Sequence, residues 1–423
     1  MTTPTLRASQ KTKKTQFGEI PVDWGLSKLD QVAVVQTGLA KGKKDIKDPV
    51  ILPYLRVANV QDGYFDLREI KTITVERSEI DRYSLRKNDV LLTEGGDLDK
   101  LGRGHLWDGQ IEPCLHQNHV FVVRTRPDVL LPGFFALQTS GPHGRHYFRS
   151  CAKQTTNLAS INSTQLKQFP VLVPPLWEQQ EITAILITWD RAIDRQEQLL
   201  TTKQRFKQGL MQHVLAGKQR FKGFAVEEWK TYRLSDLLER VLRPVTLSDD
   251  APLDLISIRR RAGGLFFRGS FTAREFKTLD LNRIETGDFI VSKRQVTHGA
   301  LSMVRQSFDG MHVSNEYVIF RSKAPEKLYM PFLDWLSRSR RMWHMAYLAS
   351  NGVHIEKLIF DAHDFLKEKI AIPPSLGEQR QIVDLLEASD TEIRLLKQEL
   401  TALKDQKRGM MQKLLTGKVR VRA

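Results

Sequence analysis

Apolar residues in two stretches of this chain recur at steps of three and four. In the second stretch, positions 386, 389, 393, 396, 400, 403, 407, 410 and 414 carry apolar side chains at seven places: Leu386, Ile393, Leu396, Leu400, Leu403, Met410 and Leu414. The same register in the first stretch holds Leu186, Trp189, Ile193, Leu200, Leu210 and Val214, interrupted by Gln196, Lys203 and Lys207. This is the spacing of a coiled-coil seam, with charged residues filling the other faces. Such a stripe needs a partner, and the simplest partner for each helix is the other one. Pro174-Pro175 and Pro373-Pro374 form rigid entries, and Gly217 and Gly417 stand where a left-handed residue closes a helix.

The two stretches are copies of one segment. From Glu178 to Arg220, 17 of 43 residues are identical to those 200 positions later, where ordinary composition gives roughly three by chance. The period is far too long for a solenoid. Weaker matches extend beyond the helices at offsets between 197 and 205: Trp24 and Leu29 recur as Trp229 and Leu234, Asp89-Val90-Leu91-Leu92 as Asp288-Phe289-Ile290-Val291, and Asn118 to Arg124 as Asn315 to Arg321. Drifting offsets mean loops of unequal length, whereas the helical copies contain no insertion. The length of the helices is therefore constrained.

Elsewhere the rhythm is that of short strands. Val90 to Thr93, Val120 to Val123, Phe289 to Val291 and Tyr317 to Phe320 are β-branched or aromatic runs bounded by turn residues. Helical segments lie at 132–140 and 331–345. Each copy is expected to be α+β: a globular domain at 17–172 with a helical spacer at 173–220, and another at 221–371 with a spacer at 372–418. Residues 1–16 read as a disordered basic tail and 419–423 as a second tail.

Charge adds a partner to this picture. With 65 Lys and Arg against 49 Asp and Glu, the net charge is +16, which points to a polyanion. No stretch approaches 18 uninterrupted apolar residues, and the amino terminus has no apolar core of a signal peptide, so a cytoplasmic protein without membrane contact is expected. Two cysteines, Cys114 and Cys151, exclude a disulfide framework and a four-cysteine zinc site.

Candidate recognition chemistry lies in polar loops that differ between the copies. The first copy offers Arg56, Asn59 and Gln61, the run Gly95, Gly96, Asp97, Lys100 and Arg103, and the turn His116-Gln117-Asn118. The second offers Arg259, Arg260 and Arg261, then Lys293, Arg294, Gln295 and His298, with Ser314 and Asn315. Arg, Lys, Gln and Asn are the side chains that reach phosphates and base edges, and a shared frame with unlike loops suits two domains reading different sequences. Catalytic signatures fail in detail. Gly38 to Lys44 is one residue short of a phosphate-cradling loop and has no hydroxyl after the lysine. Cys114, His116 and His119 have only His312 as a counterpart, so no metal site is assigned. The Pro-Pro pairs lack the flanking residues of an amino-methyltransferase motif.

Taken together, the paired Pro-Pro-Leu-x-Glu-Gln and Pro-Ser-Leu-x-Glu-Gln entries (174–179 and 374–379), the helices, and the closing Leu215-Ala216-Gly217-Lys218 and Leu415-Thr416-Gly417-Lys418 resemble the specificity subunits of Type I restriction-modification systems. The loop from Gly95 to Gly104 also resembles loops of that family's target-recognition domains. The resemblance implies two target-recognition domains in tandem, each followed by a long helix, with the helices packed as an antiparallel coiled coil of pseudo-twofold symmetry. It implies that each domain reads one half of a split, asymmetric site in double-stranded DNA. The helices would set the gap and dock two methyltransferase subunits, with motor-nuclease subunits joining the full complex. Catalysis, and with it the methyl donor, ATP and Mg²⁺, would belong to the partners, leaving this chain non-catalytic and without a cofactor. A stand-alone coiled-coil DNA-binding regulator, or a scaffold without such partners, is the alternative.

Overall fold

The computed structural model describes residues 6–8, 11–15, 18–43, 45–96, 101–154, 159–246, 252–275, 280–354 and 358–421. The chain forms two compact units, residues 1–197 with 398–423, and residues 198–397. The division runs through both long helices, Leu176–Val214 and Leu376–Leu414. Each unit therefore owns half of one helix and the opposite half of the other.

Both units are built on the same four-stranded antiparallel sheet. In the first unit the order is 33–37, 120–125, 90–93, 104–106; in the second it is 238–241, 317–322, 289–292, 301–303. The central strands bury both faces, which is why they read as unbroken apolar runs. Alternate residues Val90, Leu92, Phe121 and Val123 face a core that also takes in Ile182, Leu186 and Leu414, while Leu91, Val120 and Val122 face a second core with Leu55 and Trp107. The second unit repeats this, with Phe289, Val291, Val318 and Phe320 packed with Val214, Ile382 and Leu386, and Ile290 and Ile319 packed with Ile256 and Val313. A second sheet covers that far face. In the first unit, strand 49–55 pairs antiparallel with 71–76 and parallel with 115–116; in the second, 253–258 pairs antiparallel with 265–271 and parallel with 312–314.

The helix halves inside each unit run antiparallel. In the first unit Glu178, Asp190 and Glu197 meet Arg420, Lys407 and Lys404 respectively. In the second, Arg220, Lys207 and Lys203 meet Glu378, Asp390 and Glu392. Two of these contacts are the same pair with the copies exchanged: 178 with 420 and 378 with 220, 190 with 407 and 390 with 207. Reciprocal pairing of this kind is what a duplicated helix makes when it packs on its own copy. Leu186, Ile193, Val214, Leu386, Ile393 and Leu414 are buried, and Trp189, Leu200, Leu210, Leu396, Leu400, Leu403 and Met410 are half-buried. Gly217 and Gly417 close the helices at φ +66° and +70°.

The glutamine of each entry motif locks its helix to its own domain. Gln179 is fully buried; its Oε1 accepts from Leu131 N at 2.8 Å, and its Nε2 donates to Val129 O and Pro174 O at 2.9 Å each. Gln379 does the same with Tyr329 N at 2.8 Å, Lys327 O at 2.7 Å and Pro373 O at 2.9 Å. Three backbone groups in each copy thus depend on one amide.

The tails differ from the sequence expectation. Leu6–Ala8 pairs antiparallel with Val419–Val421, and Thr12–Thr15 pairs with Gly18–Pro21. Thr12 Oγ1 donates to Glu19 Oε2 at 3.0 Å and Lys13 Nζ to Val22 O at 3.1 Å. The partner of Leu6–Ala8 lies at the far end of the sequence, and the Thr-rich run Thr12–Thr15 pairs locally but carries no apolar alternation, so neither strand is legible from hydrophobic periodicity.

Candidate nucleic-acid interface

The polar loops gather at one end of each four-stranded sheet, where strand 90–93 (or 289–292) ends and strand 120–125 (or 317–322) begins. The frame under them is common to both units. Glu94 N donates to His119 O at 3.0 Å and Ile161 N to Glu94 O at 2.9 Å; Lys293 N donates to Glu316 O and Phe360 N to Lys293 O, both at 2.9 Å. A buried acid stabilises the other end of the central strand. Asp89 accepts from Arg124 Nε at 2.8 Å and Nη2 at 3.0 Å. Asp288 accepts from Arg243 at 2.8 Å, with Arg321, the counterpart of Arg124, 3.5 Å away.

On this frame the side chains diverge. His119 Nδ1 lies 2.5 Å from Glu94 Oε2, whereas in the second unit Glu316 stands in place of the histidine and accepts from Arg294 Nε at 2.6 Å. The acid and base have changed sides.

In the first unit, Gly95 and Gly96 form a short strand opposite Ser160 and Ala159. Arg103 Nη2 reaches Val57 O at 3.4 Å and Gly63 N donates to Gly104 O at 3.2 Å, which brings the 56–61 segment and the 95–104 segment together. Gln61 Nε2 donates to Ala58 O at 2.7 Å, and the half-buried Gln117 and Asn118 are tied through their backbone N–H groups to Leu55 O and Leu39 O. Asp97 and Lys100 lie outside the described residues.

Three residues expected at this surface are turned inward. His116 is fully buried, its Nδ1–H donating to Val120 O at 2.8 Å, and burial pushes its pKa down to about 4. Asn59, 3% exposed, accepts from Arg56 N and donates to Asp66 O and Glu69 O, all at 2.9 Å. Arg56 keeps 18% of its side chain exposed and donates to Glu69 O. His116 and Asn59 build the loop and are too deep to touch a ligand. Sequence reading missed this because a polar residue in a turn looks the same whether it satisfies backbone groups or faces water. Cys114 is likewise buried, its thiol pushed up to about 12 by desolvation.

In the second unit, Arg259, Arg260 and Arg261 are exposed and lie against the 295–299 turn: Arg261 N donates to His298 O at 2.7 Å, and Arg260 Nε to Gln295 Oε1 at 3.3 Å. Lys293 is half-buried and Arg294 is exposed. Half-buried Ser314 ends the strand before exposed Asn315, whose Nδ2 donates to Asp280 Oδ2 at 3.2 Å. Exposed Phe267 and Arg268, unremarked in the sequence, lie on the following strand.

A family model described as the Type I restriction modification DNA specificity domain matches the chain twice, at residues 21–202 and 226–405. A putative specificity subunit of the MjaX type I restriction enzyme from Methanocaldococcus jannaschii is 25% identical over 441 residues, covering 97% of each chain. The specificity subunit of the EcoKI type I restriction enzyme from Escherichia coli is 28% identical over 180 residues, which is 42% of this chain and 38% of that protein. Among solved structures, the HsdS subunit from Thermoanaerobacter tengcongensis superposes with a TM-score of 0.55 at 16% identity, covering 94% of this chain and 98% of its own; it shows that the fold is shared.

Proposed function

This chain belongs to the Type I restriction modification DNA specificity family, and we propose that each of its units reads one half of a split, asymmetric site in double-stranded DNA. The observation that carries this reading is the pairing of one backbone frame with two unlike sets of polar side chains at the same end of the sheet. Phosphate contacts from the excess of Lys and Arg supply salt-dependent affinity, and the loops supply the choice of bases. The antiparallel helices set the gap between half-sites.

The outer faces of those helices suit protein partners. Trp177 is 41% exposed, Phe206 63% and Leu395 53%, apolar side chains of the long helices that a bound partner would cover. On this reading two methyltransferase subunits dock there and motor-nuclease subunits join through them. Methyl donor, ATP and Mg²⁺ act on those partners, and this chain positions DNA for them without a catalytic group of its own. No helix among the described residues is long and apolar enough to cross a membrane, and the proposed place of work is the cytoplasm, with the DNA.

The test is a binding titration of the full chain, co-expressed with methyltransferase subunits, against duplex DNA at about 50 and 200 mM salt, together with mapping of methylated positions in host DNA. A steep loss of affinity with salt and a bipartite methylated motif that disappears when this chain is deleted are the expected results. Salt-independent binding, or a methylation pattern indifferent to the chain, removes the proposal.

A further inference from the structure

Among the described residues four non-glycine positions adopt positive φ. Two are Asp45 and Asn88, types whose short polar side chains tolerate the left-handed region. The other two are consecutive, Arg261 at φ 57° and Ala262 at φ 54°, and have no such excuse. A strained pair persists only where its surroundings over-determine it, and strain of this kind concentrates where a backbone must present something. Here the surroundings are the 295–299 turn. Arg261 N donates to His298 O at 2.7 Å and Ala262 N to Gly299 O at 2.9 Å, pinning the tip of the hairpin formed by Leu253–Ile258 and Leu265–Phe271.

That tip carries three exposed arginines in differing states. Arg259 lies over the Phe266 ring, 4.6 Å from its centroid. Arg260 is braced through Nε by the neutral amide oxygen of Gln295 at 3.3 Å, which among the described residues leaves its outer pair of N–H groups unspent. Arg261 has no side-chain partner among the described residues. The corresponding connection in the first unit is organised in the opposite way. Arg56 is turned inward beside Glu69, and Arg68 is held in a fork by Asp66 at 2.9 and 2.7 Å. Carboxylates occupy those guanidinium groups, while an amide merely aims Arg260.

Resting on the DNA-reading function proposed above, we propose that Arg260, aimed by Gln295 and carried on the strained 259–262 tip, is the base-reading residue of the second unit and selects guanine in that unit's half-site. A guanidinium edge with two parallel donors matches the O6 and N7 acceptors of guanine in the major groove, and a rigid tip loses little freedom on binding. Arg261, unbraced, serves a phosphate.

The test is selection from a randomised duplex library by the full chain co-expressed with methyltransferase subunits, for wild type, Arg260→Ala, Arg260→Lys, Gln295→Ala and Arg261→Ala. Wild type is expected to enrich a bipartite motif with a G·C pair that Arg260→Ala renders degenerate by roughly tenfold to a hundredfold, the other half-site and the melting temperature being unchanged. Arg260→Lys keeps the charge and loses the fork, so it loses the same preference while retaining affinity. Gln295→Ala weakens that preference in part, and Arg261→Ala lowers affinity for all sequences alike. A wild-type motif that survives both Arg260 substitutions, or relaxes at a position other than G·C, overturns the arginine assignment alone. A wild-type complex that enriches no motif overturns the DNA-reading function with it.

Discussion

Arg420 grips the fully buried carboxylate of Glu178 across 242 residues of sequence, its Nε and Nη2 each 2.6 Å from a carboxylate oxygen. Trp24 Nε1 adds a third donor at 3.0 Å, so the second helix's exit, the first helix's entry and the first domain's edge meet at one acid. Removing the arginine leaves a buried charge short of a partner, which costs about 3–5 kcal/mol. Arg420→Ala is therefore expected to lower the melting transition of the first unit sharply, as is deletion of residues 419–423. Glu178→Gln, which removes the charge but keeps an acceptor, should cost less than Arg420→Ala; denaturant titration of the two variants decides.

Gln179→Ala and Gln379→Ala each strip three backbone groups of a side-chain partner. At ~1–3 kcal/mol for each buried group left unsatisfied, either substitution is expected to cost 3 kcal/mol or more, roughly, despite lying far from any recognition loop. Loss of less than about 1 kcal/mol in urea melts contradicts the anchoring role.

Stability should also fall in mild acid because of His116. Its ordinary pKa of 6.5 is depressed to about 4 by burial, so between these values the unfolded chain binds a proton that the folded chain refuses. The contribution is complete above pH 6.5 and is lost as pH falls toward 4, by roughly 3 kcal/mol. His105 and His143, also lowered by burial, act in the same direction. Melts of wild type and His116→Gln at pH 7, 5.5 and 4.5 should converge as pH falls; parallel curves refute the assignment.

Two glycines should respond to alanine with opposite signs. Gly299 has φ +74° and a Cβ there falls 2.6 Å from the Trp343 ring, which is itself held by a 2.8 Å bond from Nε1 to Ser337 O. Gly299→Ala is expected to destabilise the second unit by about 1–3 kcal/mol from overpacking, with strain added. Gly209 lies within the first long helix with open space at its Cβ, and Gly209→Ala should stabilise by up to ~1 kcal/mol. Paired thermal melts measure both.

Sequence alone determined the doubled plan. The 200-residue offset, the three-and-four seam and the buried central strands were legible because each depends on a local period or on identity between copies, and neither needs the third dimension. Tertiary structure decided what each polar residue is for. Glu178 and Gln179 stood out in the sequence as repeated letters, yet Glu178 is held by Arg420 and Trp24, and Gln179, besides its neighbour Pro174, by Leu131 and Val129, all four distant in sequence. His116 and Arg260 are both polar residues in turns, but one is sealed beneath Val120 O and the other braced at the surface by Gln295. Burial, and the partnerships that span the chain, belong to residues distant in sequence, so they exist only once the chain has closed on itself. Apolar periodicity belongs to the segment and is present before it folds.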